Sequence, residues 1–585
     1  MGIIINQSPA AHPPMTSVSP AAPARASASL RTHRAPPAQQ SRCVLPRPSA
    51  AALLAPLLLP LLSAAQAGGI AVGAPRSGQL DAGHALRLEV EVPAGHVVQG
   101  SFDGDGAALD LLDASGRHLR RLVAAGSSPQ GFTWQVRPGQ QLQVRAAADG
   151  PGSDYRVQLD RALAPDRSAA GAAAPLPDSP RLRALARTLR DGGDTEAFWR
   201  ERAAQGTPLT EPLEGGDWLV TFLWRGAGTR SVRLFGSPSG NHDPLARLGD
   251  SDVWWASFRM PDSARLSYRL APDVPQVAGS ALDQRRMILA TAQRDPLNPR
   301  VFPARADAAL DVFQGFSVLE LPGAPPQPWS APRAGAGLGP AQRHMLASRI
   351  LGNQRPVWLY RPVQGPARAL LVLFDAHAYR EDVPAARIVA HLAADGLIPP
   401  TAVLLVANPS PAARAAELPP NPRFARFLDE ELMPWAQAQG LALPPEATVI
   451  AGSSYGGLAA AYAGLVLPQR FGRVLSLSGS FWWAPPGETP GWMMRAWSRA
   501  PVRPVRFYLD AGRYERARGG LDGILETNRH LADVLRARGY PVVQREHATG
   551  HDYLHWQGAL ACGLVALLHP GTQAPPLAAC PDTDP

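Results

Sequence analysis

The chain has 585 residues, 45% of them hydrophobic, which is long enough for several domains with full cores. Its formal charge of +9 rests on arginine alone, because no lysine occurs; five of those arginines precede residue 68, where no acidic residue occurs, so the remainder carries +4. Charged residues make up 18% and form no long basic block, which argues against a nucleic-acid partner.

Residues 1–67 do not read as a domain. Arg25, Arg31, Arg34, Arg42 and Arg47 lie in an Ala/Ser/Pro-rich stretch, and an apolar run over 51–62 then leads to Ala65-Gln66-Ala67. Positive charge, a short apolar run and a small-x-small end predict a secretory signal peptide cleaved near Ala67, and a periplasmic or secreted product. Pro56 and Pro60 interrupt the run, and it is too short for a membrane span, so no integral span is expected in the mature chain. The mature chain would keep Cys562 and Cys580. A disulfide between them and a pair of free thiols both fit the sequence.

Residues 78–161 carry short alternating runs at 85–92, 97–102, 108–113, 131–136, 141–146 and 154–159, separated by turns such as Asp103-Gly104-Asp105-Gly106. This pattern predicts a small accessory β-sandwich without reactive residues. Asp103 and Asp105 read as an ordinary Asp/Gly turn rather than a calcium loop. After a linker over 162–180, residues 181–325 begin helical and continue with strand-like runs at 218–226, 231–236, 253–260 and 265–272, a second sandwich-like domain. Trp218, Phe222, Trp224, Trp254, Trp255, Phe258 and Tyr268 are too numerous to be ligand contacts together and are expected in its core.

From about 345 to 570 the period changes. Apolar strands are predicted at 356–362, 369–375, 402–408, 448–452, 474–479, 505–512 and 541–547, with helices near 384–395, 422–438, 458–467 and 523–538. Apolar strands alternating with helices imply a mostly parallel sheet covered on both faces. Its chemistry belongs in the loops beyond the C-terminal strand edges. The whole chain therefore reads as an α/β-hydrolase catalytic domain preceded by two β-sandwich-like domains.

The strand at 448–452 runs into Gly452-Ser453-Ser454-Tyr455-Gly456, and a small-residue helix follows. Strand, sharp turn and helix around Gly-x-Ser-x-Gly make a nucleophile elbow with Ser454 as nucleophile. A serine hydroxyl needs a base, and His551 follows the last strand, as the chain order of hydrolases requires. The orienting acid should leave the strand at 505–512. Glu515, in the loop with more reach, is preferred, and Asp510 at the strand end is the alternative. The oxyanion hole needs two N–H donors: Tyr455, directly after the nucleophile, and Ala376 or His377 in the loop after 369–375. No cofactor and no metal are required. His547, His551 and His555 are spaced four and four, but they span a strand, a turn and a helix rather than one face.

Residues 452–458 (Gly-Ser-Ser-Tyr-Gly-Gly-Leu), 476–483 (Ser-Leu-Ser-Gly-Ser-Phe-Trp-Trp) and Gly550-His551-Asp552 with Trp556 together resemble the enterochelin (ferric enterobactin) esterases. Residues 198–325 resemble that family's N-terminal domain through Gly206-Thr207-Pro208-Leu209, Val220–Gly226, Asp252–Trp255 and Asp295–Arg300. Asp510-Ala511-Gly512 followed by Glu515 matches the family segment bearing the triad acid. The family usually has Gly after the Phe-Asp matched by Phe374-Asp375, where this chain has Ala376-His377. The resemblance implies hydrolysis of the ester backbone of a catecholate siderophore or its iron complex, with release of dihydroxybenzoyl-serine units. Trp482 and Trp483 could wall a site for catechol rings, and Arg414 and Arg513 could face the negative charge of a ferric catecholate, with structural ion pairs as the competing reading. The alternative is an exported general carboxylesterase or acyltransferase acting on another ester. No obligate protein partner is expected.

Overall fold

The structure is a computed structural model whose described residues are 68–581, apart from 105, 126–129, 149–151, 165–176, 237, 241, 276–280, 304–310, 334–336, 518–521 and 572–576. The expected leader and Asp105 of the Asp/Gly turn lie outside the described residues. Among the described residues no helix is long and apolar enough to cross a membrane.

The first sandwich packs two antiparallel-rich sheets. One runs in the order Gly68–Ile70, Ala85–Val90, Gln141–Ala146, Ala107–Leu112, His118–Val123, and the other Arg76–Leu80, Ser153–Leu163, Val97–Asp103, Gln130–Gln135. Phe102, Trp134, Val144 and Leu159 interleave between them, since alternate residues of each strand face the same side. Strands begin at Gly68, earlier than the expected 78. Arg76–Leu80 and His118–Val123 show no sequence signal because neither alternates polar with apolar residues: the first is almost wholly exposed, the second half-buried up to its last residue, Val123, which is buried.

The second sandwich follows two helices, Pro180–Arg190 and Glu196–Gln205. Its sheets run Leu209–Pro212, Asp217–Arg225, Val253–Pro261, Ala246–Arg247 and Val232–Gly236, Arg265–Pro272, Phe316–Glu320, Val301–Phe302. Phe222, Trp254 and Tyr268 lie in its core, with Trp218, Trp224 and Phe258 at the margin, so the aromatics serve packing as expected. Val97 of the first sandwich joins Phe235, Met287 and Ile288 of the second in one apolar cluster.

The third domain is an eight-stranded sheet: β1 (Gln342–Ser348), β2 (Asn353–Tyr360), β3 (Ala369–Leu373), β4 (Thr401–Val406), β5 (Thr448–Ser453), β6 (Arg473–Leu477), β7 (Arg506–Gly512) and β8 (Val542–His547). The strand order is β1-β2-β4-β3-β5-β6-β7-β8, antiparallel at β1/β2 and β2/β4 and parallel from β4 onward. The predicted strands are all present. β1 was not predicted, because its mostly exposed residues show no buried face. The central strands β3, β4 and β5 are buried along their whole length, which requires cover on both faces. That cover comes from α1 (Ala376–Glu381), α2 (Ala385–Ala394), α3 (Pro411–Glu417), α4 (Pro422–Phe427), α5 (Met433–Ala438), α6 (Tyr455–Val466), α7 (Trp492–Arg499), α8 (Ile524–Ala537) and α9 (Tyr553–Leu568). A disulfide joins Cys562 on α9 to Cys580.

The second sandwich is fastened to the loop between β8 and α9. Asp552 caps α9 by accepting from the Leu554 N–H at 2.9 Å, and it also accepts from the Ser267 N–H at 2.5 Å and the Ser267 hydroxyl at 2.9 Å. The Arg265 N–H donates to the Ala548 carbonyl at 3.2 Å, and Gln327 Nε2 donates to the Leu554 carbonyl at 2.9 Å. Buried charge-assisted bonds of this kind are the strong ones, and their loss strands the remaining polar groups. Replacing Asp552 with alanine is expected to lower stability by about 3 kcal/mol, the sum of a lost cap and stranded donors. Denaturant unfolding of the variant checks the figure, and a change within 0.5 kcal/mol, the range of ordinary surface substitutions, would contradict it.

Candidate active site

Ser454 stands between β5 and α6 with φ 58° and ψ −119°, a conformation that a non-glycine residue adopts only when its surroundings force it. The forcing is steric. A Cβ at Gly452 would lie 2.5 Å from the Gly456 backbone carbon, and one at Gly457 would lie 2.5 Å from Ser476 Oγ, so only glycine lets α6 start this close to the sheet. Helix α6 begins at Tyr455, three residues before the expected start, so Gly456 and Gly457 belong to its first turn. The Ser454 N–H is tied to the Leu477 carbonyl at 2.9 Å.

His551 follows β8 as expected, and its Nδ1 lies 2.5 Å from Glu515 Oε1. With a carboxylate as partner Nδ1 is the N–H donor, which leaves Nε2 as the acceptor on the opposite side of the ring. Nε2 is buried and, among the described residues, without a hydrogen-bond partner. Glu515 is itself held, because its Oε2 accepts from the Ser478 hydroxyl and the Gly512 N–H, both at 2.7 Å. The Trp556 indole N–H donates to Ser478 Oγ at 3.1 Å, and the same indole meets the His551 ring edge-on at 4.8 Å. Ser454 Oγ lies 3.2 Å from Ser480 Oγ. A serine–histidine bond of this type often closes only as substrate enters.

Asp510, the alternative acid, does not meet His551. It is fully buried between two other histidines, with Oδ1 2.8 Å from His555 Nε2 and Oδ2 3.2 Å from His547 Nε2. The second contact lacks hydrogen-bond alignment, so among the described residues Oδ2 has no bonded donor. Burial alone would push the Asp510 carboxyl up, but the electrostatic and hydrogen-bond interactions with His555 and His547 outweigh it and hold the group below the usual carboxylate range. Burial pushes the His547 imidazole down. No sequence signal links His547 to His555, because they sit on different elements; the parallel β7/β8 pairing sets His547 opposite Gly512, two residues beyond Asp510, and the packing of α9 against β7 brings His555 to the same carboxylate.

The oxyanion candidates are the first residues of two helices. Tyr455 opens α6, and Ala376 and His377 open α1, so their N–H groups are among the first-turn donors that lack an intrahelical acceptor. Asp375, at φ 56°, makes the turn into α1. Arg414 on α3 grips it with two bonds, Nε to Oδ1 at 2.6 Å and Nη2 to Oδ2 at 2.7 Å, and Asn408 Nδ2 adds a third at 2.6 Å. For Arg414 the structure therefore favours the competing ion-pair reading: its charge is matched by Asp375, and its guanidinium lies 5.8 Å over the Tyr455 ring. Burial would lower its pKa, but the charge and hydrogen bonds of Asp375 outweigh that and raise it. The His377 ring packs edge-on to Trp358 at 5.4 Å, and burial pushes its pKa down.

Trp482 and Trp483 are both half-buried. Trp482 lies 6.1 Å from the Tyr455 ring, while Trp483 meets Trp492, the first residue of α7, at 6.3 Å. The Arg513 N–H donates to the His547 carbonyl at 2.8 Å, and its half-buried side chain has no ion pair among the described residues. Of the two arginines, Arg513 is the one with charge to spare.

Residues 219–330 match the family described as "Enterochelin esterase, N-terminal", and residues 348–567 match the family described as "Putative esterase". The chain is 33% identical over 421 residues to the iron(III) enterobactin esterase of Dickeya dadantii (strain 3937), covering 64% of this chain and 93% of that protein. It is 32% identical over 404 residues to the iron(III) enterobactin esterase of Escherichia coli (strain K12), covering 64% and 97%. Among solved structures, the enterobactin esterase from Shigella flexneri in the presence of enterobactin is similar with a TM-score of 0.52 at 30% identity, covering 64% of this chain and 97% of that one.

The geometry separates the two carboxylates experimentally. Ser454→Ala and His551→Ala should each lower kcat on an aryl ester by about 10⁴-fold or more, and Glu515→Gln by about 10²-fold or more. Asp510→Asn should cost at least tenfold less kcat than Glu515→Gln and act mainly on Tm, since its carboxylate touches neither Ser454 nor His551. Steady-state kinetics with parallel melting curves decide this, and the reverse ranking would transfer the acid role to Asp510.

Proposed function

Because the chain belongs to the enterochelin esterase family, we propose that it is a serine esterase cleaving the ester backbone of a catecholate siderophore, free or iron-loaded. The observation that carries this reading is the pairing of both family domains, over 219–330 and 348–567, with a nucleophile elbow and a bonded His–Glu pair in one chain. His551 Nε2 takes the Ser454 proton as Oγ attacks the ester carbonyl. The oxyanion that forms is stabilised by the N–H of Tyr455 together with that of Ala376 or His377. Glu515 keeps Nδ1 protonated and stabilises the imidazolium, which then returns its proton to the leaving serine hydroxyl. Water enters by the same route and releases the acyl group from Ser454.

Substrate recognition follows from what lies around this centre. Trp482, beside Tyr455, offers a partly open indole face on which a catechol ring can stack, and Trp483 extends that surface. Arg513 supplies positive charge for a ferric catecholate without a competing carboxylate. Binding energy from such remote groups can align the scissile ester, so it should appear in turnover as well as in affinity. We expect kcat/KM for enterobactin, its linear trimer or their ferric forms to exceed that for a butyrate ester by at least tenfold, with dihydroxybenzoyl-serine identified by mass. A preference for the butyrate ester without that product would overturn the siderophore reading and leave the serine-esterase reading standing.

The protein acts, in the same proposal, after export. The arginine-rich, apolar and Ala65-Gln66-Ala67 sequence at the start supports it, and so does the Cys562–Cys580 disulfide, a bond kept in oxidising compartments. N-terminal sequencing of the native protein should give a start near Gly68 in a soluble exported fraction. A cytosolic chain that retains its leader would contradict this.

A further inference from the structure

Beside the proposed catalytic centre lies a second cluster that the esterase chemistry does not use. Asp510 comes from β7, His547 from the end of β8 and His555 from the first turn of α9, and one potential ligand atom from each lies within 4.8 Å of the others. We propose that Asp510, His547 and His555 form a binding site for a divalent transition-metal ion of the zinc class, which clamps the two catalytic loops from behind.

Three observations carry this. The first is spacing: two ligands about 2.0–2.1 Å from one ion at tetrahedral or octahedral angles stand about 3 Å apart, and the histidine nitrogens lie 2.8 and 3.2 Å from the two oxygens of Asp510. Second, Asp510 is fully buried and, among the described residues, its Oδ2 has no bonded donor. An oxygen of that kind is costly unless a cation meets it. The third is access. His547 and His555 line a small cleft between the second sandwich and the third domain, which Gln327, Arg265 and Ser263 also border. Arg265 does not compete for Asp510, because it pairs with Glu320 at 2.7 Å and donates to the Pro325 carbonyl at 2.6 Å.

Two imidazoles and one carboxylate suit zinc-class ions rather than calcium or magnesium, which take oxygen ligands. The consequence is mechanical. The Ser478 N–H bonds the Asp510 carbonyl at 2.7 Å, and the Arg513 N–H bonds the His547 carbonyl at 2.8 Å. An ion joining Asp510 to His547 and His555 would therefore stiffen Ser478, which holds Glu515, and the ends of the loops that carry Glu515 and His551. Those ligands play a positioning part only, since none of them meets Ser454.

The test uses the full chain, stripped with a chelator and titrated with Zn²⁺ by calorimetry. One Zn²⁺ per chain is expected, with a rise in Tm of about 5 °C at a hundredfold excess over Kd. The double variant His547→Gln/His555→Gln should bind at least tenfold more weakly, whereas His551→Gln should bind as the unmodified chain does. Absence of saturable binding, binding that survives the double variant, or binding lost with His551→Gln would each overturn the site. Should the double variant not fold, Co²⁺ added to the unmodified chain decides. Visible bands intensified over those of the hexaaqua ion support the site, and an unchanged hexaaqua spectrum overturns it.

Discussion

Asp552 is buried where three pieces of chain meet: the strand Arg265–Pro272 of the second sandwich, the loop after β8 and the start of α9. A carboxylate taken out of water at such a point costs several kcal/mol unless donors replace the water. Here the Ser267 N–H, the Ser267 hydroxyl and the Leu554 N–H do so. Burial still pushes its pKa up, with those same donors opposing. Because Asp552 follows His551 directly, the bonds that neutralise the buried charge also fix the base. The second sandwich thereby becomes part of the catalytic apparatus without contributing a group that reacts. The same dependence is visible at Ala548, which packs in the sandwich core and accepts the Arg265 N–H.

On the other side of Ser454 a second ion pair performs a parallel task. Asp375 precedes α1 and Arg414 lies on α3, and their two-point contact fixes the turn into α1 while the guanidinium lies over the Tyr455 ring. Both candidate oxyanion positions are thus governed by one pair: Ala376 and His377 through the Asp375 turn, Tyr455 through the guanidinium above it. A bidentate contact defines orientation as well as distance, which a lysine at 414 could not reproduce. The residue that looked available for an anionic substrate is already committed to shaping the hole.

The catalytic sheet was legible in the sequence because its central strands are continuous apolar runs, and the elbow because Gly452 and Gly456 frame Ser454 between a strand and a helix, whereas the steric demand for glycine at 457 shows only in the structure. Glu515 could be preferred over Asp510 from loop reach alone, and the structure gives it the His551 contact. Less legible were features set by long-range contacts. β1 belongs to the sheet only through its ladder with β2, and the local sequence Gln342–Ser348 carries no alternation to mark it. The role of Arg414 depends on Asp375, 39 residues earlier. Ser478 read as part of a family motif, but its place under Glu515 follows from a backbone at φ 48° at the end of β6, which sequence does not reveal. Tertiary partners, rather than local propensity, decide such residues.

The histidines at 547, 551 and 555 make the same point at closer range. Their spacing of four and four would put them on one face of a helix, yet the chain leaves β8 after His547 and enters α9 only at Tyr553. The turn between these elements throws His551 outward, to the loop carboxylate Glu515, and leaves its two neighbours facing Asp510 inside β7. The two carboxylates are five residues apart, one in the strand and one beyond it, and so they cannot exchange partners. That separation matters for the base. A histidine shared between two carboxylates would be held as the cation, and an imidazolium cannot accept the Ser454 proton. Because Asp510 faces His547 and His555 instead, His551 keeps one acid, one fixed tautomer and an Nε2 turned away from its carboxylate.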